Sequence, residues 1–223
     1  MKKIYYTLVA ALVMLVSVSC EKKSPAEQES EGEPGFASGY AEVKPEAGVP
    51  DNKVKWVQLW KDGPKWAEFN VGAKSVGEYG CYYAWGGSHN KEEDHNMGDD
   101  PLSGDSDTAT KLWGEKWRMP TRIEYDALLA YCTSEWKTNY NGTGKNGRLF
   151  TGKGDYSGNF VFFPAAGIYE CGSVRGDGED GEYWCSTPSY GSLTFYLSFG
   201  PHNQGVPCYS RLGTRSVRAI LNE

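Results

Sequence analysis

Histidine is scarce in this 223-residue chain, at three copies, and no cysteines or histidines stand at a CxxC or similar ligand spacing. That argues against a zinc centre. Positive charge is also short. Lys and Arg number 23 against 29 Asp and Glu, for a formal charge of −6, and no basic run interrupts the sequence. Such a chain makes a poor partner for nucleic acid or an anionic lipid surface. No apolar stretch reaches the ~20 residues of a spanning helix, and the one candidate, residues 4–18, is about 15 long. Heptads and long internal repeats are absent as well.

The N-terminus carries an ordered signal. Lys2 and Lys3 precede the apolar stretch, and Ser19-Cys20 ends it. Charge, apolar core and small residue in that order read as a secretory signal peptide. A Cys directly after the small residue resembles the lipobox of bacterial lipoproteins. The resemblance implies cleavage before Cys20 and lipid on its thiol, although Ser17 stands where the pattern usually has a bulky apolar residue. The mature chain, without Lys2 and Lys3, is more acidic still. Residues 21–50 are mostly Glu, Lys, Pro, Ser, Ala and Gly, too polar to bury a core, and read as a disordered tether. Three regions follow: signal peptide 1–19, lipidated Cys and tether 20–52, and a folded domain 53–223.

Within that domain the composition turns aromatic, and all eight Trp lie between Trp56 and Trp184. Residues 55–60, a turn at Asp62-Gly63-Pro64 and residues 65–71 predict two strands. Residues 79–85 predict an extended core segment. Ser106 or Asp107 can cap a short helix ending at Trp113. Thr121-Arg122-Ile123-Glu124 is a capping box, in which Thr and Glu side chains satisfy orphan amides. The helix it opens would put Ile123, Ala127, Leu128 and Tyr131 on one face. Strands are expected at residues 136–140, 148–151, 160–163, 182–186, 193–199 and 216–220. Alternation in the 193–199 strand puts Leu193, Phe195, Leu197 and Phe199 on one side. Few helices and many short strands make an α+β class. Beyond Cys20, Cys81, Cys132, Cys171, Cys185 and Cys208 are an odd set for an exported protein. Connectivity stays open, with a bridge among Cys171, Cys185 and Cys208 favoured if one exists.

Six ordered motifs then resemble one family. They are KWAEFNVGA (residues 65–73), the Tyr79-Gly80 and Tyr83-Ala84-Trp85-Gly86 pair, Trp117-Arg118-Met119-Pro120-Thr121, Phe163-Pro164-Ala165-Ala166-Gly167, Tyr183-Trp184-Cys185-Ser186-Thr187-Pro188 and Arg215-Ser216-Val217-Arg218. The chain resembles the Fibrobacter succinogenes major paralogous domain family, common among Bacteroides-type lipoproteins. Cys185 replaces a usual Ser, and Ala219 a usual Pro. The resemblance implies a C-type-lectin-like fold, related to formylglycine-generating enzymes and diversified variable proteins. One or two helices would pack on small twisted antiparallel sheets, with long irregular loops presenting a ligand surface near the C-terminus.

Chemistry-bearing residues are few. His89 and His95 flank an acidic run, but their spacing of six does not place two ligands on one helical face. Asp177, Glu179, Asp180 and Glu182 are acidic and Gly-rich without EF-hand spacing. No metal and no cofactor is therefore expected. Cys185 or Cys208 with His202 could in principle form a nucleophile and base, but no formylglycine-generating motif joins them, so no enzyme activity is expected. Trp66, Trp85, Trp117 and Trp184 suit a core, and Arg215 and Arg218 suit structural pairing. The binding candidates lie in residues 189–192 and 200–212, where Tyr, Ser, Asn and Gly mix as they do in recognition loops. They are Tyr190, Tyr196, His202, Asn203, Gln204, Tyr209 and Arg211. The expected function is an outer-membrane lipoprotein, facing the periplasm or the surface, that holds a glycan or a protein. A structural role in envelope assembly and a formylglycine-generating-type enzyme are the alternatives.

Overall fold

A computed structural model describes residues 37–87 and 95–222. Cys20, expected as the lipid-attachment site, His89 and the acidic run at residues 91–94 lie outside the described residues. The architecture is α+β, with two α-helices and short strands in small antiparallel sheets. Among the described residues, no helix is long and apolar enough to cross a membrane.

A five-stranded sheet is built from β1 (Ser38–Glu42), β2 (Lys53–Gln58), β3 (Lys65–Ala67), β4 (Trp117–Arg118) and β14 (Ile220–Leu221), in the order β1-β2-β3-β14-β4. A second, three-stranded sheet runs β5 (Thr133–Lys137), β6 (Gly147–Thr151), β7 (Phe160–Pro164). A small hairpin pairs β8 (Ile168–Glu170) with β9 (Ser173–Arg175), which the sequence pattern did not predict. In the last sheet β10 (Gly181–Pro188) pairs with β11 (Leu193–Phe199), and β11 carries both β12 (Gln204–Gly205) and β13 (Cys208–Ser210) on its other edge. The helices are α1 (Thr108–Trp113) and α2 (Arg122–Tyr131).

The N-terminal part of the domain is larger than composition suggests. Residues 38–42 form β1, which pairs with β2 over five positions, so the tether expected through residue 52 is folded from Ser38 onward. The reason is local. Val43 and Val49 each bury all but a few per cent of their surface, and two 3-10 turns at Pro45–Ala47 and Pro50–Asn52 carry the chain back to β2. Two valines in a polar stretch are enough to anchor it once β2 supplies a strand edge.

Both helix starts are capped as the sequence predicts. The Asp107 carboxylate accepts from the Thr110 amide, and Thr121 and Glu124 form the reciprocal box. The buried stripe of α2 differs from expectation. Tyr125 and Leu128 are fully buried, followed by Cys132, whereas Ile123 and Tyr131 are exposed. The i, i+3, i+7 line through Tyr125 is an equally regular helical stripe. The Tyr125 ring stacks on Trp66 at 5.7 Å, and that contact sets the rotation.

Two apolar clusters fill the interior. One gathers Trp85, Trp113, Trp117 and Trp184; the other gathers Trp66, Tyr125, Phe150, Phe163, Tyr183 and Phe199. Neighbouring residues fall on opposite sides: Trp66 against Ala67, Tyr183 against Trp184, Ile220 against Ala219. Strand alternation explains the split, and a strand buried on both faces reads as unbroken apolar sequence. Tyr183-Trp184-Cys185 is such a run.

The 216–220 strand expected near the C-terminus shortens to Ile220–Leu221. Arg218 turns fully inward, where its guanidinium donates to the Ala67 and Phe162 carbonyls and to Asn70 Oδ1 at 2.8–3.0 Å. The backbone of residues 216–219 pairs irregularly instead, its carbonyls accepting from the Trp184, Val71 and Ala67 amides. Residues 79–85 likewise form no strand, and only Tyr83 bridges, to Arg215.

Candidate functional site

The seven binding candidates do not form one surface. They separate along β11 into an end, a middle and an opposite end.

At the first end, the turn between β10 and β11 raises Tyr190, which is 92% exposed, and Tyr209 stands 61% exposed on β13 opposite Thr194. Arg211 lies beneath them and is fully buried, which corrects its assignment to the ligand surface. Its backbone amide donates to the Ser192 carbonyl. Nε donates to Leu193 O at 3.2 Å, and Nη1 donates to Asn96 O at 3.0 Å and Gly98 O at 2.8 Å. The guanidinium carbon sits 4.2 Å from the Trp85 ring. Burial pulls its basicity below the ordinary arginine value, while Asp99 opposes that. Arg211 thus clasps three segments, and each carries an exposed apolar side chain. They are Met97, Tyr190, and the pair Tyr209 and Leu212. Met97 lies in a loop that reads as merely polar; the signal for it is a buried arginine rather than any local motif.

In the middle, Tyr196 is half-buried. Its ring meets Trp184 edge-on at 6.2 Å, and the Arg215 guanidinium packs 4.3 Å above it. Arg215, itself buried between Trp184 and Tyr196, donates to the Glu182 carboxylate at 2.5 Å. Arg215 and Arg218 are structural, as their motif suggests, and Glu182 belongs to this packing rather than to a ligand cluster. Tyr196 is one layer of a stacked wall.

At the opposite end, His202 and Asn203 are exposed in the turn after β11. Seven residues of β11 put roughly 20 Å between the two ends. This turn is tied down by Arg148. Its guanidinium donates to Gly200 O, to Gln204 Oε1 at 3.1 Å and to Asn203 O at 3.3 Å. Gln204 also accepts from Ser134 Oγ at 2.7 Å. Its amide oxygen is committed to the fold, while the residue itself stays exposed.

The thiols do not pair. Cys81, Cys171 and Cys208 are exposed, Cys132 and Cys185 are buried, and all five are free. A β-bulge lies between Trp184 and Pro188 on β10. There the Cys185 thiol donates to the Phe195 carbonyl at 3.0 Å, in the place where a serine hydroxyl would do the same. Burial pushes this thiol up to about 12, so it is held as a neutral donor rather than a nucleophile. His202 lies beyond the far end of β11, and that end, Phe199, is already four residues or roughly 13 Å past Phe195 along the strand. Among the described residues, no three His, Cys, Asp or Glu side chains converge as metal ligands. His95 points Nε2 at the Leu212 carbonyl, 3.2 Å away.

Tested against protein-family models, curated proteins and solved structures, the chain finds no match in any of the three.

Proposed function

We propose that this chain is an exported bacterial lipoprotein, anchored in the outer membrane through lipid on Cys20, whose domain binds a ligand with the end of the β10–β11–β13 sheet. It would be a C-type-lectin-like member of the Fibrobacter succinogenes major paralogous domain family. The observation that carries the binding reading is the convergence of Met97, Tyr190, Tyr209 and Leu212 on segments clasped by one buried arginine. Exposed aromatic and thioether side chains on a rigid frame are what recognition surfaces use. Tyrosine suits either a glycan or a protein, and Met97 and Leu212 tilt the choice to a protein. His202 and Asn203, at the other end, are a separate and lesser candidate.

The test is affinity capture from bacterial envelope extract and host mucus on three immobilised forms of the chain. One is native, one carries Tyr190→Ala, Tyr209→Ala and Leu212→Ser, and one carries His202→Ala and Asn203→Ala. A protein or glycan retained by the native and His202/Asn203 forms, and lost from the Tyr190 form, supports the reading. Retention by all three forms, or by none, overturns the site and favours the assembly role. For that role, β1 is a strand edge bearing an exposed Tyr40.

A further inference from the structure

A concavity lies apart from the β11 ends, beside α1. It has a volume of about 790 Å³, inside the range that holds a drug-sized ligand. Its accessible apolar wall comes from Ala47, Tyr82 and Leu112, backed by the buried Val71, Tyr83 and Trp113, and the exposed Cys81 lines it as well. Its walls are held by backbone bonds. The Lys44 amide donates to the Trp113 carbonyl at 3.0 Å, fixing the first 3-10 turn to the end of α1. The Cys81 amide donates to the Val71 carbonyl at 3.3 Å.

Two glycines make the remaining wall possible. Gly72 and Gly80 have φ of 82° and 75°, a region that suits glycine and strains other residues. A Cβ on Gly72 would come 2.7 Å from the Cys81 sulfur and 2.8 Å from the Tyr83 hydroxyl, and one on Gly80 would come 2.5 Å from the Val71 carbonyl oxygen. The hollow is therefore built into the backbone and does not require a ligand to open it.

The rim is charged. Lys44 and Lys111 carry exposed amines, and Glu46 carries a carboxylate. Lys44 Nζ donates to the Lys111 carbonyl at 2.9 Å, which brings it over the cavity edge beside α1. Neither lysine forms an ion pair among the described residues. Two amines against one carboxylate make a locally positive mouth on an acidic protein, over a floor of aliphatic and aromatic carbon. An apolar body with one negative charge complements both. We propose that this cavity is a binding site for a small amphipathic monoanion, such as an aromatic carboxylate or sulfonate. Its ring would lie against Ala47, Tyr82 and Leu112, the apolar lining residues that keep surface open to solvent, and its charge beside Lys111 and Lys44.

Cys81 supplies the readout. In the full chain, in membranes from producing cells, carbamidomethylation rates of Cys81, Cys171 and Cys208 are followed by mass spectrometry. The probes are 1-naphthalenesulfonate and its uncharged analogue 1-naphthalenemethanol. The sulfonate is expected to slow Cys81 saturably and leave Cys171 and Cys208 unchanged. Lys111→Glu, at an exposed position, is expected to raise the sulfonate's half-saturating concentration about fivefold or more and leave the alcohol's unchanged. Ala47→Phe, which fills the rim, is expected to abolish protection by both. Continued silence of the buried Cys132 and Cys185 reports that each variant is folded. No protection of Cys81, equal slowing of all three thiols, or protection indifferent to both variants overturns the site. Equal response of sulfonate and alcohol to Lys111→Glu overturns its preference for anions.

Discussion

Replacing Arg211 with Met keeps the apolar stem and removes the charged fork, so it isolates what the clasp contributes. Three carbonyl contacts are lost, at Leu193, Asn96 and Gly98. The Leu193 carbonyl keeps the Ser189 amide as a second donor, and the loop carbonyls can turn to water. Each bond is therefore worth about 0.5–1 kcal/mol, the range of an ordinary hydrogen bond and below the ~1.5–3 kcal/mol of a charged one. The guanidinium over Trp85 adds about 1–2 kcal/mol, since the pair is enclosed. Against these, one Nη2 has no partner, and burial of the charge already costs the folded state something. The balance is a loss of about 2–3 kcal/mol, less than the 5–15 kcal/mol of an ordinary domain. The variant should fold, with a lower urea midpoint and an unchanged slope. Amide hydrogen exchange at residues 96–98 and 192–193 should accelerate, because these segments lose their common tie. Arg211→Lys should recover little, since an ammonium cannot serve three carbonyls and an aromatic face at once. A midpoint shift worth under about 1 kcal/mol, with exchange unchanged, would refute the clasp.

Removing the exposed rings should separate binding from stability. Tyr190→Ala and Tyr209→Ala should each move thermal stability by less than about 0.5 kcal/mol, as surface changes do, while lowering ligand capture. Glu124 should give the domain an acid-sensitive limb. Burial alone would raise its carboxyl, but the Arg118 fork at 2.6 Å and the Thr121 bonds outweigh that and hold it below the ordinary range. A depressed folded value means the stabilisation is complete above the unfolded value, ~4.3, and fades as pH falls through the folded one. Urea midpoints from pH 7 to 3 should therefore fall less steeply for Glu124→Gln than for the native chain, from a starting point lower by about 1–2 kcal/mol. Of the five domain thiols, native protein at pH 8 should alkylate only Cys81, Cys171 and Cys208. Cys132 and Cys185, both pushed up to about 12 by burial, should react only after denaturation, as mass spectrometry of the labelled peptides would report.

Elements whose cause is local were legible in the sequence. The Thr121 capping box and the Asp107 cap begin helices because a side-chain oxygen three residues away meets an orphan amide, and no distant contact is needed. The aromatic runs at Trp66, Trp85, Trp117 and Trp184 marked the core, because rings of that size have nowhere else to go in quantity. The α+β class followed from counting short strands between turns. What the tertiary structure alone decided was direction. Tyr125 rather than Ile123 faces inward, because Trp66 arrives from another strand. Residues 38–52 fold because β2 offers them an edge. Arg211 looks like a surface polar residue in a list of letters, and carbonyls more than 100 positions away in the chain turn it into a buried tie; Gln204 stays exposed but gives its amide oxygen to Ser134 and Arg148, both more than 50 positions away. The Arg211 bonds tie the segments that carry the exposed Tyr190, Tyr209, Met97 and Leu212. Burial of a charge depends on partners that only the folded chain assembles, and no reading of local pattern reaches them.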